Sequence, residues 1–466
     1  MKYGGSWWLA GSPGWKVDGH LSLVDDQWEL SVVGQLDAQA MTVREPGYGI
    51  DSRTVVGDTT KGLVSLLDCH LASQAGGSIR NQPRRTQTWR ATELIAGREV
   101  SPTQLYSKTT FQMDGLTEWW ESPTKRIRLS SADEADLEKV NAGRKPLTIR
   151  MHNGWSLTLN STGTERSGVH EASYERRTSV LIEYAAGFTS QEVYGLAIFP
   201  LQAMLTTAFG TEIVLREENL FLVGADPETG WVKVGVGKLG TEPPPDQFAF
   251  ARPLFTSADV NPQSFLEAWL MQANDLIFPL GWINEHRLGR RTLQVDAMSS
   301  VMAAETLHRK IHGTTYDVDQ VDRLMAVLGE SDQFISEERR DARNALKRGY
   351  EQTLPQRLAQ LASDLGDPTA DYLLGGELKA WAQVAAGIRN TLGHGLQPKH
   401  QLHRNYPAML MMTVVTTMVL ELAIAVSCGL PGGEWLKSRV AGLPRYRSAA
   451  EQRVVSWKAL LAQPSQ

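Results

Sequence analysis

The stretch Glu377–His394, ELKAWAQVAAGIRNTLGH, decides how this chain is read. Its apolar residues Leu378, Trp381, Ala385, Ile388 and Leu392 recur every three or four positions, which builds one buried stripe along a helix. Arg389 and Asn390 stand beside that stripe. Gly393 follows its last member, the usual place for a left-handed cap, so the helix is expected to stop there and leave His394 just past its end. On a continuous helix, five positions set Arg389 and His394 about 140° apart around the axis. A break at Gly393 lets the histidine turn back toward the arginine.

These residue types suit cleavage of RNA. RNA carries its own nucleophile, the 2′-hydroxyl, which attacks the adjacent phosphorus once its proton is drawn off. Histidine, with an unperturbed pKa of about 6.5, is the natural general base or acid. Arginine offers bidentate donors for the phosphorane. Asn390 can hold the phosphate or orient the imidazole. The scheme needs no metal or other cofactor, its products end in a 2′,3′-cyclic phosphate and a 5′-hydroxyl, and DNA is untouched. The spacing alone is unspecific, since chance supplies roughly two such Arg–His pairs in a chain with ten histidines. The competing reading is that Arg389 and His394 only cap a helix C-terminus, where cations are favoured.

Working outward, helical periodicity runs from about residue 261 onward, with helices expected over 261–280, 292–312, 316–328, 333–351, 354–365, 376–392, 405–428 and 447–461. Ala408–Val426 is nearly uncharged and about long enough to span a bilayer. It carries Glu421 and three threonines without an aromatic belt, which fits the buried central helix of a bundle. Residues 1 to about 250 read as β instead. Apolar or alternating runs at Trp28–Val33, Gly62–Leu67, Leu147–Met151, Ser179–Tyr184 and Leu220–Val223 are separated by turn residues, and Asp226–Gly230 leads into Trp231–Val234 as a hairpin. One helix interrupts them, capped by Thr189 with Glu192, ending at Gly210 and expected to kink at Pro200. The prolines Pro243–Pro245 put the boundary near 240–257. The fold class is therefore α+β and multidomain: a β-rich sandwich or barrel over 1–250, then an all-α bundle over 257–466.

A chain of 466 residues with net charge -5 is not a dedicated nucleic-acid binder coated in positive charge. The charge is uneven: from Ser257 onward 22 Lys and Arg balance 22 Asp and Glu, so that half can host a local basic site. Two distant cysteines, Cys69 and Cys428, and an N-terminus without a signal peptide point to the cytoplasm.

Here a family resemblance enters. On Arg389-Asn390…His394 and on the upstream Arg291-Thr292-Leu293-Gln294…Ala304-Glu305-Thr306-Leu307-His308-Arg309, the C-terminal half resembles the HEPN domain of ApeA-like anti-phage defence proteins. The N-terminal region is similar in organisation to the ApeA N-terminal domain, as in Asp18-Gly19-His20-Leu21 followed by Trp28-Glu29-Leu30. The resemblance implies a ribonuclease that dimerises, so that Arg389 and His394 of both protomers line one RNA-cutting cleft. It also implies an abortive-infection effector that cuts host RNA, often tRNA, after a phage component is sensed, with a phage protein as a partner at the N-terminal domain. Two alternatives stand beside it: a HEPN module that binds RNA or a partner without cutting, and a membrane effector built on 408–426.

Further RNA contacts are expected from Lys399, His400, His403 and Arg404 after the motif, and from Arg445 and Arg447 in a basic C-terminal stretch. Glu305, His308 and His312 share one helical face, a geometry open to metal ligation or to a surface or interface role. Val236-Gly237-Lys238 lacks the first glycine and the Ser/Thr of a P-loop.

Overall fold

The computed structural model describes residues 2–24, 27–36, 53–79, 82–121, 144–167, 172–235, 252–286, 291–313, 318–329, 335–394, 402–451 and 456–462. They form two compact units. One comprises 1–202 and 213–251, the other 203–212 and 252–466. The expected proline-rich boundary at 241–246 and the P-loop-like Val236–Lys238 lie outside the described residues.

The first unit is β-rich, as the alternation predicts. Its strands are β1 (Lys2–Leu9), β2 (Val17–Val24), β3 (Gln27–Val33), β4 (Arg53–Thr59), β5 (Gly62–Ile79), β6 (Gln82–Ala91), β7 (Glu93–Ala96), β8 (Tyr106–Met113), β9 (Leu147–Arg150), β10 (Ser156–Ser167), β11 (Ala172–Phe188), β12 (Leu215–Leu222) and β13 (Trp231–Gly235). They pair in the order β4-β1-β2-β3-β6-β5-β7-β13-β12-β8-β11-β10-β9, and β4 also pairs with β5. That extra pairing closes the first six into a barrel, which removes their free edges. Trp7, Trp28, Leu30, Val55, Leu66 and Trp89 fill it. Trp7 lies flat against Gly57, where a Cβ would stand 2.3 Å from its ring, so a glycine is what admits the indole.

Three helical segments interrupt these strands along the chain: α1 (Leu116–Glu121), α2 (Ser190–Val193) and α3 (Phe199–Phe209), whose residues from Ala203 on belong to the second unit, with a π-helical turn, Tyr194–Ile198, joining the last two. The expected capping box at Thr189 and Glu192 is formed. The structure answers Pro200 with the π turn just ahead of it. Proline offers no N–H and crowds the carbonyl four residues back, and the wider turn accommodates both. Gly210, at φ 72°, ends α3.

The second unit is helical: α4 (Pro262–Ala273), α5 (Ile277–His286), α6 (Leu293–His312), α7 (Val318–Gly329), α8 (Ser336–Tyr350), α9 (Leu354–Ser363), α10 (Asp367–Leu374), α11 (Leu378–His394), α12 (Tyr406–Ser427), α13 (Gly433–Ala441), α14 (Pro444–Glu451) and α15 (Trp457–Ala462), with a 3-10 turn at Leu402–Arg404. The single helix expected over 261–280 is two, because Pro279 cannot continue a helix but fits the first turn of a new one. Helices α10 and α13 are additions to the expected set.

Helix α12 spans 22 residues with a mean hydropathy of 2.1, which by length and composition would cross a membrane, yet 78% of its most apolar window is buried within the protein. It packs against α5, α6, α9, α11 and α14. Its Glu421, 1% exposed, accepts a hydrogen bond from the Tyr446 hydroxyl at 3.3 Å. This is the environment of a core helix.

Candidate active site

Helix α11 is positioned by the stripe that the sequence displays: Trp381, Ala385 and Ile388 are fully buried, and Arg389 and Asn390 emerge beside them, half-buried. One expectation is corrected here. The helix does not stop at Gly393 but runs on through His394, and Gly393 is not among the glycines with positive φ. Helical hydrogen bonding carries through the glycine, which only makes room beside Met298 of α6, 3.8 Å from where its Cβ would be. On this continuous helix the backbone positions of Arg389 and His394 diverge by about 140°, whereas Asn390 and His394, four apart, share a face. The His394 side chain lies outside the described residues.

Asn390 is the link between the two. Arg389 Nη1 donates to Asn390 Oδ1 at 3.1 Å, so the amide joins the guanidinium to the face that carries the histidine. On its other side, Arg389 Nη2 stands 3.7 Å from Glu305 Oε2 on α6. The second oxygen of Glu305 accepts from Arg357 Nη1 at 2.8 Å and from Arg309 Nη2 at 3.1 Å. Arg357, 6% exposed, also reaches Glu351 at 3.0 Å. Three guanidiniums thus surround one carboxylate, and an incoming phosphate would meet an excess of fixed positive charge there.

Next to this cluster runs a second network. His308 Nε2 lies 3.0 Å from Gln360 Oε1, Gln360 Nε2 lies 3.2 Å from His312 Nδ1, and His312 Nε2 lies 2.7 Å from Asp364. Since the Gln360 amide donates to Nδ1 of His312, that imidazole presents its own N–H at Nε2 to Asp364. Burial pushes the pKa of His308 down, and neighbouring His312 and Arg357 add to this, against the Gln360 hydrogen bond. His308 is 1% exposed, so it has no surface role, whereas Glu305 and His312 are part-exposed and bonded to side chains of neighbouring segments. Among the described residues no group of His, Cys, Asp and Glu is arranged to hold a metal ion.

The remaining candidates are scattered. Lys399 and His400 lie outside the described residues. The 3-10 turn Leu402–Arg404 docks on α11, with Leu402 buried beside Gly387, so His403 and the exposed Arg404 come to the helix that carries Arg389. The side chain of His403 is outside the described residues. Arg445 points inward: its Nη2 donates to the Thr207 carbonyl at 2.7 Å and to the Tyr446 hydroxyl at 3.1 Å. Arg447 is exposed on α14, whose main neighbours are α10, α12 and α13. What sequence reasoning missed is the role of Glu305, Arg309 and Arg357 as the surroundings of Arg389. The i, i+4 spacing of Glu305 and Arg309 is a local signal that could have suggested that pair; Arg357 is remote in sequence.

Comparison with known families supplies the context for this geometry. Residues 2–227 match the family model of ApeA N-terminal domain 1, and residues 298–433 match that of the Apea-like HEPN. Comparison with curated proteins and with solved structures gave no match. The second match contains α11 whole, together with Glu305 and Arg357. With both domains in this order along one chain, the protein belongs to the ApeA-like family with a C-terminal HEPN domain.

Proposed function

We propose that this protein is an endoribonuclease of an abortive-infection anti-phage system, cutting RNA by 2′-hydroxyl attack without a metal. The observation that carries the reading is the HEPN-matching helix α11, which presents Arg389, Asn390 and His394 at one end beside an arginine-rich cluster. In the mechanism, His394 takes or gives the proton, Arg389 stabilises the phosphorane, and Asn390 joins them. Glu305 holds Arg389 in place until phosphate competes for it. Cleavage leaves a 2′,3′-cyclic phosphate and a 5′-hydroxyl. The substrate class to test first is tRNA, and the N-terminal domain senses the phage component in the cytoplasm of the infected cell.

The protein acts as a dimer through its HEPN domain. Two observations support this. The divergence of Arg389 and His394 on a continuous helix favours a site completed by the same residues of a second copy. Exposed apolar residues stand on α6 (Val295, Met302) and α12 (Tyr406, Leu410), helices that pack beside each other, with α6 also against α11. The same divergence supports a second reading, a HEPN module that binds RNA or a partner and does not cut.

The test is inducible expression of wild type and of Arg389→Ala/His394→Ala under phage challenge, with total RNA and tRNA resolved on a denaturing gel. Discrete fragments from wild type alone are expected. A folded double variant that cuts as well as wild type would falsify the assignment, and intact RNA in both would favour the binding module.

A further inference from the structure

The N-terminal unit holds two carboxylates for which RNA cleavage has no use. Val234 on β13 pairs with Ile95 on one side and with Glu218 on the other, and Glu218 in turn pairs with Phe111. Glu218 is thus the one acid in a row with Ile95, Val234 and Phe111, and Glu93, two residues before Ile95, is on the same face. Glu218 is 6% exposed. Ser190, at the start of α2, donates to Glu93 Oε2 at 2.7 Å. Among the described residues no cation pairs with either carboxylate.

A third group points at them. Tyr106 on β8 pairs with Leu222, which follows Glu218 and Leu220 in the buried alternation of β12. It is 1% exposed and its hydroxyl has no hydrogen-bond partner among the described residues. Burial raises the pKa of that hydroxyl, and Glu93 and Glu218 raise it further against Arg98, so the hydroxyl lies in the field of both acids. Burial pushes both carboxyls up: Glu93 to about 7, with Ser190 opposing and Asp68 adding, and Glu218 to about 8, with Glu93 adding. Tyr194, half exposed in the π turn, also feels Glu218. An acid pair without a cation, one member buried and the other partly so, facing an unpartnered hydroxyl and bordered by an irregular helical turn, is costly to keep. Such a cost is typical of a site held ready for a ligand.

We propose that this face receives one cationic head group, an ammonium or a guanidinium. Glu93 and Glu218 supply the compensating charge, and the Tyr106 oxygen accepts one of the cation's N–H groups. Two carboxylates and a phenol fall short of the six to eight oxygens that calcium takes, which favours an organic cation over a metal. Glu93 and Tyr194, both partly exposed, mark the approach. The head group comes either from a small amine or from a Lys or Arg side chain of a partner protein. The inference rests on the N-terminal unit alone and stands whether or not the HEPN domain cuts RNA.

The test is thermal unfolding of the full chain at pH 7.5, followed by tryptophan fluorescence. Methylammonium and methylguanidinium are titrated against tetramethylammonium at equal ionic strength. A second arm uses acetylated, amidated tripeptides carrying a central Lys or Arg. Wild type should show a saturable rise of the midpoint, about 2–4 °C, absent with tetramethylammonium and absent in Glu218→Gln. Tyr106→Phe, which keeps the ring, should bind more weakly and guards against misfolding of the first variant. A rise with the small cations assigns the site to an amine; a rise with the peptides alone assigns it to a side chain. No saturable rise with any probe, or an equal rise in Glu218→Gln, overturns the proposal.

Discussion

The two units bury carboxylates under opposite conditions. In the helical unit Glu305 sits among Arg309, Arg357 and Arg389, and its charge is matched several times over. In the β unit Glu218 sits between Val234 and Phe111 with another acid for company, and burial holds its proton on near neutral pH. The difference is instructive about where each unit keeps its reactivity. Around Glu305 three guanidiniums converge on one carboxylate, and the proposed function sets one of them, Arg389, against an anion. Around Glu218 the negative charge is latent, appearing when the proton leaves or a cation arrives.

Five variants probe this contrast. The largest effect belongs to Arg389→Ala/His394→Ala: RNA cleavage should fall by about 100-fold to 10,000-fold while circular dichroism and the unfolding midpoint stay near those of wild type. Unfolding of the double variant instead would make these residues structural and erase the distinction drawn for Glu305. Next, Glu305→Ala should lower stability by about 3 kcal/mol in urea titration, because it strips a partner from the buried Arg357. Glu305→Gln, which keeps a hydrogen-bond acceptor, should cost less. Equal losses for the two would show that the charge of Glu305 is not what matters.

Glu218→Gln should do the reverse. A carboxyl whose pKa is raised on folding contributes stability that is present below the ordinary carboxylate range and is lost as pH rises toward about 8. Glu93, with its pKa raised to about 7, adds to the same loss. The midpoint of Glu218→Gln should therefore match wild type near pH 4 and exceed it by a few degrees at pH 8.5, measured by differential scanning fluorimetry. A gap that shrinks as pH rises contradicts the latent-charge reading. The smallest effect belongs to Arg340→Ala. Its contacts with Glu337 and Asp341 are made at about 70% exposure, so the loss should stay within about 0.5 kcal/mol.

Much of the fold was legible because its signals are local. The 3.6-residue stripe of α11, the capping box at Thr189 and the hairpin before Trp231 each depend on residues a few positions apart. The barrel was harder to read. In β1 and β4, Gly4, Gly5 and Gly57 look like turn residues, yet Gly57 serves the Trp7 ring, a contact between strands about fifty residues apart. Helix α10 escaped for a related reason: it is a short segment bracketed by Gly366 and Gly375, both at positive φ. Within the site, Arg389, Asn390 and His394 were readable as a motif, while Gly393 was misread as a stop. Glycine is permissive rather than obligatory at a helix end, and here α11 continues through it. The partners of Arg389 come from α6 and α9, so their convergence is a property of the fold and not of any one segment.

The central claim is that RNA cleavage runs through the 2′-hydroxyl at a site containing Arg389 and His394. The direct measurement takes purified full-length protein and the RNA found to be cut in challenged cells, alongside the same RNA with a single 2′-deoxy substitution at the scissile nucleotide. The account predicts cleavage of the first to a 2′,3′-cyclic phosphate and a 5′-hydroxyl, no cleavage of the second, and neither product with His394→Ala. Cutting of the 2′-deoxy substrate, or 3′-hydroxyl ends from the natural one, would contradict it.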